Sequence, residues 1–217
     1  MIHAHDPPPL ANRRPLLAVA RTAFALLDII AIGRQLLIHV HEGYDILNFF
    51  SYFTNLANLS ATCVLLLAAA DAWSGRIGAH ALARAMSVVN MAIVGVVFSM
   101  LLRNVDLGSL LPWVNFVVHY LMPCVVVADW LLQPPPLRFS ARRLGVILLF
   151  PSLYLTYVLL RGAAIGWYPY PFLNPAHIGG YAGVAAYAVG ISMTFLVVGG
   201  LLLAFANRGA ISREVGR

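Results

Sequence analysis

Residues 110–132 read LLPWVNFVVHYLMPCVVVADWLL, with a single carboxylate, Asp129, and a single imidazole, His119. A helix needs about 20 apolar residues to cross a bilayer, and this stretch meets that length with little polar interruption. Comparable stretches fall at 16–38, 50–70, 84–102, 144–165 and 181–206. Together the six predict an all-α polytopic membrane protein, one bundle of six transmembrane helices. The connections between them are too short for a soluble domain.

Composition points the same way. Of 217 residues, 61% are hydrophobic and 10% charged, with mean hydropathy +0.82; a soluble domain carries roughly a quarter charged residues. All fourteen basic residues are arginine. Without lysine there is no Schiff base to a carbonyl cofactor and no P-loop lysine. The G-x-S-x-G elbow of serine hydrolases is also missing. Cys63 and Cys124 both fall in predicted spans, which suits neither a disulfide framework nor a zinc site. No metal and no cofactor is expected.

Arg13, Arg14, Arg76, Arg84, Arg138, Arg142, Arg143, Arg208, Arg213 and Arg217 fall at the two termini and around the 2–3 and 4–5 connections. The 1–2 connection carries Glu42 and Asp45 and no arginine. The positive-inside rule therefore predicts both termini in the cytoplasm: a tail over 1–15, a membrane domain over 16–206 and a second tail over 207–217. The isoelectric point near 9.7 is explained by span-flanking arginines that meet anionic lipid, so nucleic acid is not an expected partner.

Polar side chains inside such spans are expensive, which makes them the first place to look for function. In the second span Ser51, Thr54, Asn55, Asn58 and Thr62 project into an arc of about 100°. Asn115 and His119 share a face of the fourth span, and His119 is the only histidine inside a predicted span. At about 1.5 Å per residue, His119 lies about 13 Å below the outer end of its span, level with Asn58 and one turn from Thr54. Asp28, Asn90 and Ser192 fall at similar depth on spans 1, 3 and 6. Interhelical hydrogen bonding alone would account for some of these groups. A neutral histidine facing a hydroxyl is also the minimum for a general base and its nucleophile. Asp28 would then orient the ring, as the acid of a triad does. Asn55, Asn58 or Asn115 would donate to an oxyanion, with Asn90 in support. Thr54, Ser51, Thr62 and Ser192 all remain candidate hydroxyls on spacing alone.

The 163–180 connection is uncharged and rich in aromatic residues, proline and glycine. It suits an interfacial belt, and its prolines make it stiff enough to roof a cavity. Arg34, Arg103 and Arg161 stand near the outer span ends, where each can bind a substrate carboxylate or headgroup, or snorkel.

At YFTNLAN (52–58), HYLMPCVVVADWLLQPP (119–135) and RG-x₄-WYPYPFLN (161–174) the chain resembles the bacterial six-helix branch of the androgen-induced and androgen-dependent integral membrane hydrolase family. The resemblance runs through all six spans and implies a bacterial plasma-membrane location. Animal members are threonine hydrolases of fatty-acid esters of hydroxy fatty acids. Carried over by motif, it implies Thr54 as nucleophile and His119 as base. At Asn174–Pro175 the chain departs from the acidic residue of the family pattern. The expectation is thus an intramembrane lipid-ester hydrolase acting on a lipid or fatty-acid ester. A non-enzymatic carrier of a small or lipidic ligand is the alternative, followed by a scaffold.

Overall fold

The computed structural model describes residues 14–76, 78–135 and 138–215, with side chains through Arg208. Residues 1–13 of the expected N-terminal tail, Arg13 among them, lie outside the described residues, as do the side chains of Arg213 and Arg217. All regular structure among the described residues is helical: α1 (Arg14–His41), a short α2 (Ile46–Phe50), α3 (Phe53–Ser74), α4 (Ala81–Leu102), α5 (Pro112–Leu132), α6 (Ala141–Ile165) and α7 (Tyr181–Val215). Six of these are long and apolar enough to cross a membrane. Helix α7 continues past 206, so residues 207–215 extend it where a tail was expected.

Small residues set the packing. Ala18, Ala25 and Ala31 on α1 and Ala57, Ala61 and Ala68 on α3 are almost fully buried. Alanine at an interface lets backbones approach, which is how helices associate where no hydrophobic force separates side chain from lipid. Helix α3 packs between α1 and α4, and α4 also meets α5, α6 and α7. Helix α4 is the most buried of the six, whereas α6 and α7 lie at the periphery and barely touch one another.

Two wide π-type turns interrupt the helices, Phe98–Leu102 ending α4 and Val117–Leu121 inside α5. The cause of the second lies in Pro123, which has no N–H to offer the carbonyl of His119. Gly95 on α4 faces this point. A Cβ there would sit 3.2 Å from Pro123 Cβ and 3.6 Å from the His119 carbonyl oxygen. The wide turns bring Phe98 and His119 into a stack, with centroids 3.8 Å apart and planes at 19°.

The expected second span begins at Phe53 rather than residue 50, because Ser51 and Tyr52 form a break between α2 and α3. Asp45 caps α2, accepting from the Leu47 N–H at 2.9 Å. At its other end α6 closes on Gly166, left-handed at φ 74°. The chain then folds back so that Tyr170, Phe172 and Leu173 are buried. The 1–2, 3–4 and 5–6 connections gather at one end of the bundle, the end that carries Thr54 and His119.

Candidate active site

The start of α3 poses a hydrogen-bonding problem whose solution is the site. A helix leaves its first N–H groups without partners inside the helix, and apolar surroundings do not satisfy them. Tyr52 stands at the cap position and supplies no side-chain acceptor. Two phenol oxygens from elsewhere do so instead. Tyr154 of α6 accepts from the Phe53 N–H at 3.2 Å, and Tyr170 of the 5–6 connection accepts from the Thr54 N–H at 3.3 Å. Tyr154 in turn donates to the Ser51 carbonyl at 2.8 Å.

Thr54 is the second residue of α3, so its hydroxyl is not drawn onto a carbonyl of its own helix. It points to α5, where Oγ1 lies 3.3 Å from Nε2 of His119. The two side chains are 8% and 7% exposed, protected from bulk water yet at the edge of open space. Nδ1 of His119 faces two acceptors, Asn115 Oδ1 at 2.7 Å and the Asn115 carbonyl at 3.2 Å. Two acceptors fix the proton on Nδ1 and leave the lone pair of Nε2 facing the Thr54 hydroxyl. Hydroxyl, imidazole and a ring-orienting amide therefore form one line of hydrogen bonds.

Burial pushes the Tyr170 phenol above its ordinary range, so it stays an O–H. Its oxygen accepts from the Thr54 N–H, which leaves its own proton to donate beside Oγ1. Burial likewise raises the Tyr52 phenol.

Thr54 lies where two cavities meet. One, of about 400 Å³, runs between α3, α4, α6 and α7 and is mainly apolar, with Ile93, Val97, Leu148, Pro151, Ile191 and Phe195 on its walls beside Ser152, Thr156 and Ser192. The other, of about 460 Å³, opens among the connections and is lined by Gln35, His39, Asn48, Asn55, Asn174 and His177, with His119 at its base. Thr54, Phe98, Leu102 and Tyr170 border both.

Several expectations need correction. Asp28 does not orient the imidazole: it accepts from Thr62 Oγ1 at 2.6 Å, two turns along α3 from Thr54, and is fully buried there. Asn115 holds the orienting position through Oδ1 and borders neither cavity. Asn58 spends its amide protons on the carbonyls of Thr54 and Val118, at 2.9 and 3.1 Å, and so ties α3 to the wide turn of α5. The Asn55 amide donates to the Phe49 carbonyl at 2.8 Å, fastening α2 to α3. Asn90 is buried and borders neither cavity. Ser51 binds the Leu47 carbonyl and Tyr157, and Ser192 lies on the apolar wall away from any base. Arg34 and Arg103 are exposed and border neither cavity. Arg161 binds Asn48 Oδ1 at 2.8 Å and lies over Trp167, 5.2 Å from the ring centroid.

Spacing did not assign Tyr170 a role, because a loop residue has no helical register to place it. The signal that points to it is a helix start with no capping side chain, which requires donors or acceptors from outside. Among the described residues no three His, Cys, Asp or Glu side chains gather as a metal site requires. No family model, no curated protein and no solved structure matches this chain.

Proposed function

We propose that this chain is an integral membrane hydrolase of lipid carboxylic esters, with Thr54 as nucleophile and His119 as general base. The observation that carries the reading is the 3.3 Å contact between Thr54 Oγ1 and His119 Nε2 at the meeting point of an apolar and a polar cavity. The blocks around Thr54, His119 and Tyr170 are those in which the sequence resembles the membrane threonine hydrolases. The arginine distribution supports cytoplasmic termini, and the resemblance supports a bacterial plasma membrane.

The proposed reaction runs in two halves. Nε2 takes the Thr54 proton as Oγ1 bonds to the ester carbonyl carbon. The carbonyl oxygen becomes an oxyanion and accepts from the Tyr170 O–H. The C–O bond to the alcohol breaks, and His119 returns the proton to the departing oxygen, leaving acyl-Thr54. A water then gives its proton to His119 and attacks the acyl carbon. The Thr54–acyl bond breaks, the proton goes back to Oγ1, and the carboxylic acid leaves. One ester and one water yield one acid and one alcohol. Asn115 holds the ring throughout.

The carrier reading has less support. Toward the opposite end Asp129 is held by Arg21 at 2.6 Å and Arg84 at 2.8 Å, and the cavities there measure only about 30 and 10 Å³. A polar path through the bundle has no room at that end.

Fluorophosphonate labelling of the purified protein, with the adduct mapped by mass spectrometry, tests the reading. An adduct on Thr54 that His119→Ala abolishes and Thr54→Ser partly retains is the expected outcome. Folded protein that takes no label at Thr54 refutes a covalent mechanism.

A further inference from the structure

We infer that the alcohol half of the substrate is a small, uncharged polyol rather than a second chain ending in a carboxylate. This rests on the hydrolase reading of Thr54 and specifies which ester it cleaves. The mainly apolar cavity beside Thr54 suits a hydrocarbon chain, as Ile, Val, Leu and Phe make up most of its wall. The alcohol must then project into the other cavity, on the side where His119 stands to protonate it.

That second cavity is built for neutral hydrogen bonding. Asn48, Asn174 and Ser109 contribute amides and a hydroxyl, and His39 and His177 contribute imidazoles, while the Gln35 amide already bonds the Ser109 carbonyl and the Leu111 N–H. Among the described residues lining it there is no arginine, and the chain contains no lysine. Its one formal charge is the carboxylate of Asp106. A substrate carboxylate placed there would face a like charge and find no cation. Arg161 stands behind Asn48 and Trp167 of that wall, already bound to Asn48 and 3.7 Å from Asp45. Uncompensated like charges oppose binding, whereas hydroxyls exchange water for amides at little cost.

The test compares two esters of one acid, oleoyl glycerol and the oleoyl ester of a hydroxystearic acid, on the purified full chain, with Thr54→Ala as blank. Both release oleate and an alcohol for each water consumed. The expected result is a kcat/KM higher by about tenfold for the glycerol ester. Ser109→Arg, which adds a cation on the exposed rim, should shift that ratio toward the hydroxystearate ester. Thr54-dependent hydrolysis with the hydroxystearate ester preferred, or with no preference, overturns this inference and leaves the hydrolase reading intact. Hydrolysis of neither ester above the Thr54→Ala blank overturns both.

Discussion

Asn115 and His119 stand one turn apart on α5 and share a hydrogen bond of 2.7 Å between Oδ1 and Nδ1. The bond decides which imidazole nitrogen carries the proton, and hence that Nε2 can accept one from Thr54. In the proposed hydrolysis Asn115 acts by positioning the ring. Asn115→Leu should lower kcat by about ten- to a hundredfold with KM nearly unchanged, as loss of a ring-orienting partner commonly does. Asn115→Asp, which keeps an acceptor at the same place, should recover most of the rate. A Leu variant at full rate refutes the role.

Tyr170→Phe removes the only side-chain donor assigned to the oxyanion. A loss of about 10²–10³ in kcat is expected, measured on any ester the protein turns over. The same change strands the Thr54 N–H and should cost about 1–3 kcal/mol in thermal stability. Because burial raises the phenol above its ordinary value of about 10, the neutral form is the one the fold favours. The O–H contribution to rate and stability is therefore complete below that value and lost as pH rises through the raised one. An alkaline limb present in the native protein and missing in Tyr170→Phe is the check.

Gly95→Ala should destabilise the protein by about 1–3 kcal/mol, because the new methyl meets Pro123, whose ring cannot turn aside. Activity should fall further than stability, since the push is delivered at the His119 backbone. Gly33 on α1 has open space around it, and Gly33→Ala should be neutral or gain about 0.5–1 kcal/mol in a thermal melt. Equal effects at the two positions would refute the account of the wide turns.

At the far end Arg21 bonds Asp129 through Nε, the Ala68 carbonyl through Nη1 and Gln133 through Nη2, while Arg84 takes the other carboxylate oxygen. Asp129→Asn removes the carboxylate that two guanidinium groups bond in a confined site and should destabilise by about 3–5 kcal/mol. Activity per folded molecule should be unchanged, because no part of this cluster borders the Thr54 cavities. A matched loss of activity in fully folded protein refutes that separation.

The number and approximate bounds of the six long helices follow from the sequence alone. A helix satisfies every backbone group within its own segment, so a run of about 20 apolar residues marks one by length and hydropathy. The burial of Thr54, Asn58 and Thr62 along one side of α3 was legible for the same reason, as periodicity places residues on a face. Which polar groups meet was not legible. Asp28, Asn58 and Asn115 are all plausible partners of His119 by depth, and only the packing of α1 on α3 commits Asp28 to Thr62. The wide turn at Val117–Leu121 rotates everything beyond it, and a fixed 100° step does not anticipate that rotation. Tyr170 reaches Thr54 across 116 positions through a loop with no period at all. The sequence by itself determined the helical class, six helices long and apolar enough to cross a membrane, and a short set of polar candidates within them. The tertiary structure decided their neighbours, because hydrogen-bond partners depend on ångström distances between helices, and those distances are set by small residues and turns acting jointly.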